Sequence, residues 1–215
     1  DADRLRKLVK IKNYHYIEKA LNEGKGVIVL GAHYTTVEIS ARFITLDNKF
    51  SASYQTMRNP LFDHYTMQAR YRNFDQVFAR DEIRQTFRYI KKNNVVWIAA
   101  DQDTGADNSV FVPFFEQQAA TQTVASRMAK ITKAAIIPYY SRRLPGTQGY
   151  IMEFFPPLED FPSKSLEEDA LRTNKILEKF IRQAPEQYLW THRRFKTCPE
   201  GQLKLYRKKP RRVKK

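Results

Sequence analysis

The sequence predicts a single α/β domain with a mostly parallel central sheet flanked by helices. Three observations carry this. Short, wholly apolar, β-branched runs such as Val27-Ile28-Val29-Leu30 are what a strand buried on both faces requires. Segments of helical periodicity separate these runs, the spacing of βαβ units with right-handed crossovers. Glycine is scarce, 7 of 215 residues, which is few for a sandwich built on many tight turns.

Residues 4–22 place Leu5, Leu8, Val9, Tyr16, Ile17 and Leu21 mostly at helical spacing, predicting one helix that Gly24 and Gly26 end. Further strands are expected at 51–54, 95–100, 135–140 and 150–155, with helices near 36–46, 61–73, 82–93, 119–133 and 166–184. Asn59-Pro60 reads as an N-cap followed by proline at the first helical position. In such sheets ligands lie outside the carboxyl ends of the strands, so residues just after each apolar run are the first candidates for chemistry.

The chain carries 38 Lys+Arg against 23 Asp+Glu, a net charge of +15 that calls for anionic partners. Eight of the twelve residues of 204–215 are Lys or Arg, so one domain is expected over 1–203 and a basic, solvated tail beyond it. The single cysteine, Cys198, excludes an internal disulfide. No run approaches the roughly 18 apolar residues of a membrane-spanning helix. The first residue is Asp rather than Met, which reads as a fragment or processed form.

After the first strand stand His33 and, in the first turn of the next helix, Glu38. If Glu38 reaches back, a carboxylate on one ring nitrogen fixes the tautomer and leaves the other to take a proton from an alcohol. The helix start would also offer free N–H groups to an oxyanion. Thr35-x-x-Glu38 equally fits a capping box. Asp101 and Asp103 follow the strand at 95–100; the pair can hold a divalent cation beside a diphosphate, orient a basic group in the same cleft, or cap a turn. Arg70, Arg72 and Arg80 offer forked donors to phosphate or carboxylate, or form a solvated face. Phe111, Val112, Phe114 and Phe115, in the apolar run from Val110, either line a groove for a greasy ligand or belong to the core. His15, His33, His64 and His192 have no zinc spacing, and no phosphate-binding glycine loop or nucleophile elbow is present.

Taken together, GAHYTTVEIS (31–40), NPLFD (59–63), AADQDTG (99–105), SVFVPFF (109–115) and PEQYLWTHRRFKTCPEG (185–201) resemble the late acyltransferases of lipid A biosynthesis, the lauroyl and myristoyl transferases. The resemblance covers nearly all of the chain except the tail. It implies a glycerolipid-acyltransferase-like fold that uses no metal or cofactor. The acyl donor would be an acyl-carrier-protein thioester and the acceptor a hydroxyacyl chain of a Kdo-bearing lipid A precursor. It places the family's HxxxxD/E motif on His33 and Glu38, its downstream arginine on Arg70 and its strand-end aspartate on Asp101, as catalytic residues. Arg72, Arg80, Asp103, Arg193 and Arg194 become candidates for substrate binding, and Phe111, Val112, Phe114 and Phe115 for an acyl groove. The chain would act at the cytoplasmic face of the inner membrane, through an N-terminal anchor not present in it, with the basic tail on anionic lipid and no role in binding nucleic acid. Departures are Gln55 after Tyr54 where many members have Arg, Glu116 for a frequent Gly, and Cys198 for a common Arg. A lysophosphatidic-acid acyltransferase shares the His-carboxylate chemistry and is the alternative; a non-enzymatic binder of nucleic acid or anionic membrane is the reading from another class.

Overall fold

The computed structural model describes residues 2–54, 56–57, 59–79, 82–201 and 205–206, and its first element differs from the predicted long helix. Two short helices, α1 (Ala2–Lys7) and α2 (His15–Asn22), flank a strand, β1 (Val9–Lys12). Val9-Lys10-Ile11-Lys12 alternates with period two, and Asn13 at φ 59° turns the chain out of the strand. Then come β2 (Val27–Gly31), α3 (Val37–Ile44), β3 (Ser51–Tyr54), α4 (Pro60–Asn73), β4 (Gln76–Ala79), α5 (Ile83–Lys91) and β5 (Val95–Ala99). The remaining elements are β6 (Ser109–Phe114), β7 (Gln117–Gln122), α6 (Val124–Thr132), β8 (Ala135–Arg143), β9 (Tyr150–Phe154) and α7 (Leu166–Ile181).

Seven strands form one sheet in the order β1-β9-β8-β2-β5-β3-β4. Every neighbouring pair is parallel except β8 with β9. The expected mostly parallel α/β architecture is therefore the observed one. β2 is buried along its whole length, and its side chains divide the core. Ile28 and Leu30 join α5, α6 and α7 in one cluster, while Val27 and Val29 join α2 and α3 in the other. This two-sided burial is why the run lacks polar alternation.

The segment 119–133, expected to be one helix, splits. Its first residues lie in β7, paired antiparallel to β6 across Phe115 and Glu116, both with positive φ (47° and 69°). Two such residues in a two-residue loop are the geometry that favours glycine, so Glu116 holds a strained position where the resembling family often has Gly. Ala119 and Ala120, helix formers by propensity, are fully buried in this ribbon beneath α7. Tertiary burial overrides local preference here. Arg80, Gln55, residues 202–203 and most of the tail (204 and 207–215) lie outside the described residues. Among the described residues no helix is long and apolar enough to cross a membrane.

Candidate active site

The register of the central strands builds the site. β2 and β5 are parallel neighbours with Gly31 opposite Ala99, and the Ala100 N–H donates to the Gly31 carbonyl. His33 and Asp101 each stand two residues beyond that pair, so the ladder delivers them side by side. His33 Nδ1 lies 2.8 Å from Asp101 Oδ1, and the His33 backbone N–H donates to Asp101 Oδ2 at 3.1 Å. Burial alone would raise the Asp101 carboxyl, which is 1% exposed. The hydrogen bonds and charge of His33 outweigh this and hold it below its ordinary value of 3.8. The His33 ring also sits edge-on to Trp97, centroids 6.1 Å apart. Trp97 in turn needs Gly31, where a Cβ would come within 2.8 Å of the indole nitrogen.

The carboxylate on the His33 ring is thus Asp101 and not Glu38. Glu38 projects outward, 74% exposed, and accepts from Arg70 Nη2 at 3.0 Å. Glu38, in the first turn of α3, faces Arg70 on α4 rather than the His33 loop that precedes the helix. Nor does Glu38 close a capping box, since the N-cap is Thr36, whose hydroxyl bonds Ser141 across the sheet rather than its own helix. Arg70 is 19% exposed and lies over the Tyr54 ring at 5.0 Å. Asn59 caps α4 as expected, its side chain accepting from the Leu61 and Phe62 N–H groups ahead of Pro60. Asp63 accepts from the Tyr54 hydroxyl and the Met57 N–H, fixing the helix against β3.

Between α3, α4 and the sheet lies a pocket of about 550 Å³, counting the part open to solvent. Val29, Trp97, Met152, Ala41, Ile44 and Phe74 line it, with Glu38 and Arg70 as its polar residues beside Ser40. An almost wholly apolar cleft with a few convergent polar groups is what a ligand site looks like. The expected groove residues are elsewhere. Val112 and Phe114 are core side chains of the β6/β7 ribbon, Phe111 is exposed, and Phe115 packs on Trp190 in the turn. Val112 and Phe114 are buried in the ribbon that packs against α7.

Other expected roles change as well. Arg194 is 3% exposed, donates to the Ala120 carbonyl at 2.7 Å and Thr121 Oγ1 at 2.8 Å, and covers the Phe114 ring. It ties the segment after α7 to the ribbon and does not face substrate. Arg194→Met is expected to lower unfolding free energy by about 2–4 kcal/mol in a denaturant titration, because the buried acceptors lose their donor. Asp103 is likewise internal, accepting from the Thr197 N–H and hydroxyl and from the Gly105 N–H. With Asp101 on His33 and Asp103 on Thr197, the two acids do not converge, and no group of three ligands suited to a metal occurs among the described residues. Arg72 and Arg193 are exposed; Arg193 lies over the Tyr206 ring.

The segment after α7 forms a strap that locks the His33 loop. The Leu189 N–H donates to the His33 carbonyl and the Thr35 N–H to the Gln187 carbonyl, while Tyr188 packs edge-on to Tyr34. Burial, then the nearby Asp101 carboxylate, pushes the Tyr188 hydroxyl well up. His192 Nε2 accepts from the Asp103 N–H at 2.9 Å, so the same strap holds both strand-end loops. The N–H groups of His33, Tyr34, Thr35 and Val37 are all engaged, which removes them as donors to an oxyanion.

An α/β domain with a histidine–aspartate pair at the ends of parallel strands, beside an apolar pocket rimmed by Glu38 and Arg70, is the class that fold and site define. The model of the bacterial lipid A biosynthesis acyltransferases matches residues 1–197, and the chain belongs to that family. It is 35% identical over 199 residues to the lipid A biosynthesis lauroyltransferase of Escherichia coli K12, covering 92% of this chain and 65% of that protein. To the palmitoleoyltransferase of the same organism it is 33% identical over 204 residues (94% and 66%), and to its myristoyltransferase 27% over 209 (96% and 65%). The chain thus spans just under two thirds of the length of these relatives. Among solved structures, the 1-acyl-sn-glycerophosphate acyltransferase of Thermotoga maritima aligns over 86% of this chain and 79% of its own with 13% identity and a TM-score of 0.48.

Proposed function

We propose that this chain is the catalytic domain of an enzyme that transfers a lauroyl- or myristoyl-class acyl chain from an acyl-carrier-protein thioester to a hydroxyacyl chain of a Kdo-bearing lipid A precursor. The observation that carries it is the His33 ring held by Asp101 on one nitrogen. That contact keeps the proton on Nδ1 and leaves Nε2 to accept the proton of an acceptor hydroxyl. The oxygen attacks the thioester carbonyl, the tetrahedral oxyanion collapses, and the carrier leaves as a thiol that takes up the proton from His33. Arg70, braced by Glu38 and Tyr54, is the cation suited to the developing oxyanion or to a headgroup phosphate or carboxylate. No residue in this scheme requires a metal or cofactor. Reaction would occur at the cytoplasmic face of the inner membrane.

The pocket between α3 and α4 suits the acyl chain of the donor. Ala41→Phe, which fills it from α3, is expected to slow transfer of the longest accepted chain by roughly tenfold or more relative to shorter ones. Equal loss at every chain length would mean that the pocket is not the acyl site. The function as a whole is tested by incubating the protein with carrier thioesters of graded length and a Kdo-modified tetra-acylated precursor, then weighing the lipid. A mass gain of one acyl group supports the assignment. Acylation of lysophosphatidic acid instead would shift it to the alternative acceptor.

A further inference from the structure

The loop after β5 carries the carboxylate that meets His33, and one peptide unit of that loop is gripped at both ends. The Gln102 carbonyl accepts from the Gln122 side-chain amide of β7 at 3.1 Å. The Asp103 N–H, the other end of the same peptide, donates to His192 Nε2 at 2.9 Å. Only Gln102 stands between this residue and Asp101. The imidazole comes from the strap, where the His192 N–H donates to the Leu189 carbonyl and the Leu189 N–H to the His33 carbonyl. A chain of three hydrogen bonds therefore joins the two strand-end loops, and the His192 ring is its one side-chain link. Thr197 also reaches this loop, but it binds the Asp103 carboxylate rather than the peptide next to Asp101.

We infer that His192 is a positioning residue of the acyl-transfer site: its neutral ring holds the Gln102–Asp103 peptide where Asp101 can meet both Nδ1 and the backbone N–H of His33. The inference rests on the role proposed above for His33. A neutral imidazole has one lone pair, and Nε2 can accept only while the proton is on Nδ1. The lone pair of His192 is already taken by the Asp103 N–H, so this ring cannot replace His33 as the base. Protonation would set a donor against a donor and release the loop. The charged and titratable groups facing the ring are Asp101 and Asp103 after β5, His33 after β2, and Lys196 on the strap. Burial is the largest influence and holds the ring below its ordinary 6.5; Lys196 and His33 act with it, the two aspartates against it. The grip is therefore present above pH 6.5 and is lost as pH falls through the lowered value.

The test compares His192→Ala with His192→Gln, whose amide oxygen can stand where Nε2 stands and has no proton to gain. His192→Ala is expected to lower kcat by roughly 10–10²-fold at neutral pH with KM for the carrier thioester unchanged, the loss that a misplacement of about 1 Å produces. His192→Gln should recover most of that loss, and the ratio of its kcat to that of wild type should rise as pH falls below 6.5. Nitrogen-15 spectra of the histidine rings supply a readout without turnover. The wild-type His192 proton should lie on Nδ1, and the His33 Nδ1–H signal should shift in His192→Ala and return in His192→Gln. Four results would overturn the inference: the proton of His192 on Nε2, a folded His192→Ala protein with wild-type kcat, no rescue by glutamine, or a ratio that does not change with pH. Should His192→Ala fail to fold, the wild-type tautomer and the pH dependence of the glutamine ratio still decide. If no lipid is acylated while the ring spectra behave as described, the acyl-transfer assignment fails and the hold of His192 on the Asp101–His33 contact stands.

Discussion

His33→Ala is expected to lower kcat by about 10²–10⁴-fold, the contribution of a positioned general base, while leaving KM for the carrier thioester near its wild-type value. The split arises from where the groups sit. The pocket proposed for the acyl chain is built from Val29, Ala41, Ile44, Phe74, Trp97 and Met152, and the His33 ring meets it through the edge of Trp97. Losing the imidazole removes the proton acceptor without emptying the pocket. The fold should tolerate the change, because the His33 side chain is 29% exposed and its loop is held by backbone bonds from Thr35 to Gln187 and from Leu189 to His33. Far-ultraviolet circular dichroism and the melting temperature should therefore match wild type. A His33→Ala protein that still acylates at full rate would remove the general-base proposal. A loss confined to KM would convert His33 into a binding residue.

The positions of His33 and Asp101 were legible because a parallel sheet obeys a simple rule: the residues just past an apolar run lie at the carboxyl edge. Which carboxylate serves the histidine was not legible from local spacing. Glu38 is five residues away in sequence and Asp101 sixty-eight, yet the β2/β5 register, a non-local fact, makes Asp101 the neighbour. The same limit explains the pocket. Phe111 to Phe115 form a Phe-rich apolar stretch that a local reading leaves open between a ligand groove and the core. The cleft is instead assembled from five residues of α3 and one or two each from several strands and α4, which are far apart in sequence. Arg194 shows a converse error, since nothing about a surface-looking His-Arg-Arg triplet reveals that one guanidinium is buried against Ala120 and Thr121. Alternation did announce one missed feature: Val9-Lys10-Ile11-Lys12 has the period of an edge strand.

Asp101→Asn is expected to lower kcat by about 10³–10⁴-fold with the fold intact, and the hydrogen-bond geometry gives the reason. In the native protein Oδ2 accepts the His33 backbone N–H and Oδ1 meets Nδ1. Asparagine has the same outline but only one acceptor oxygen. The backbone N–H can only donate, so the amide oxygen must take the Oδ2 place and the NH₂ group is turned toward Nδ1. Nδ1 then has to accept, which puts the ring proton on Nε2 and leaves no lone pair there for an acceptor hydroxyl. The defect is a wrong tautomer, not lost positioning. Asp101→Asn combined with His33→Ala should be no slower than His33→Ala alone. Stability carries a second signature. The native carboxyl sits below 3.8, so the stabilisation it contributes is present above that pH and is lost as pH falls through the lowered value. Denaturant midpoints of wild type and Asp101→Asn should accordingly differ most at neutral pH and converge below pH 3.8. A variant with normal turnover, or a stability gap unchanged at acid pH, would mean that the Asp101–His33 contact is neither the tautomer lock nor the stabilising hydrogen bond described.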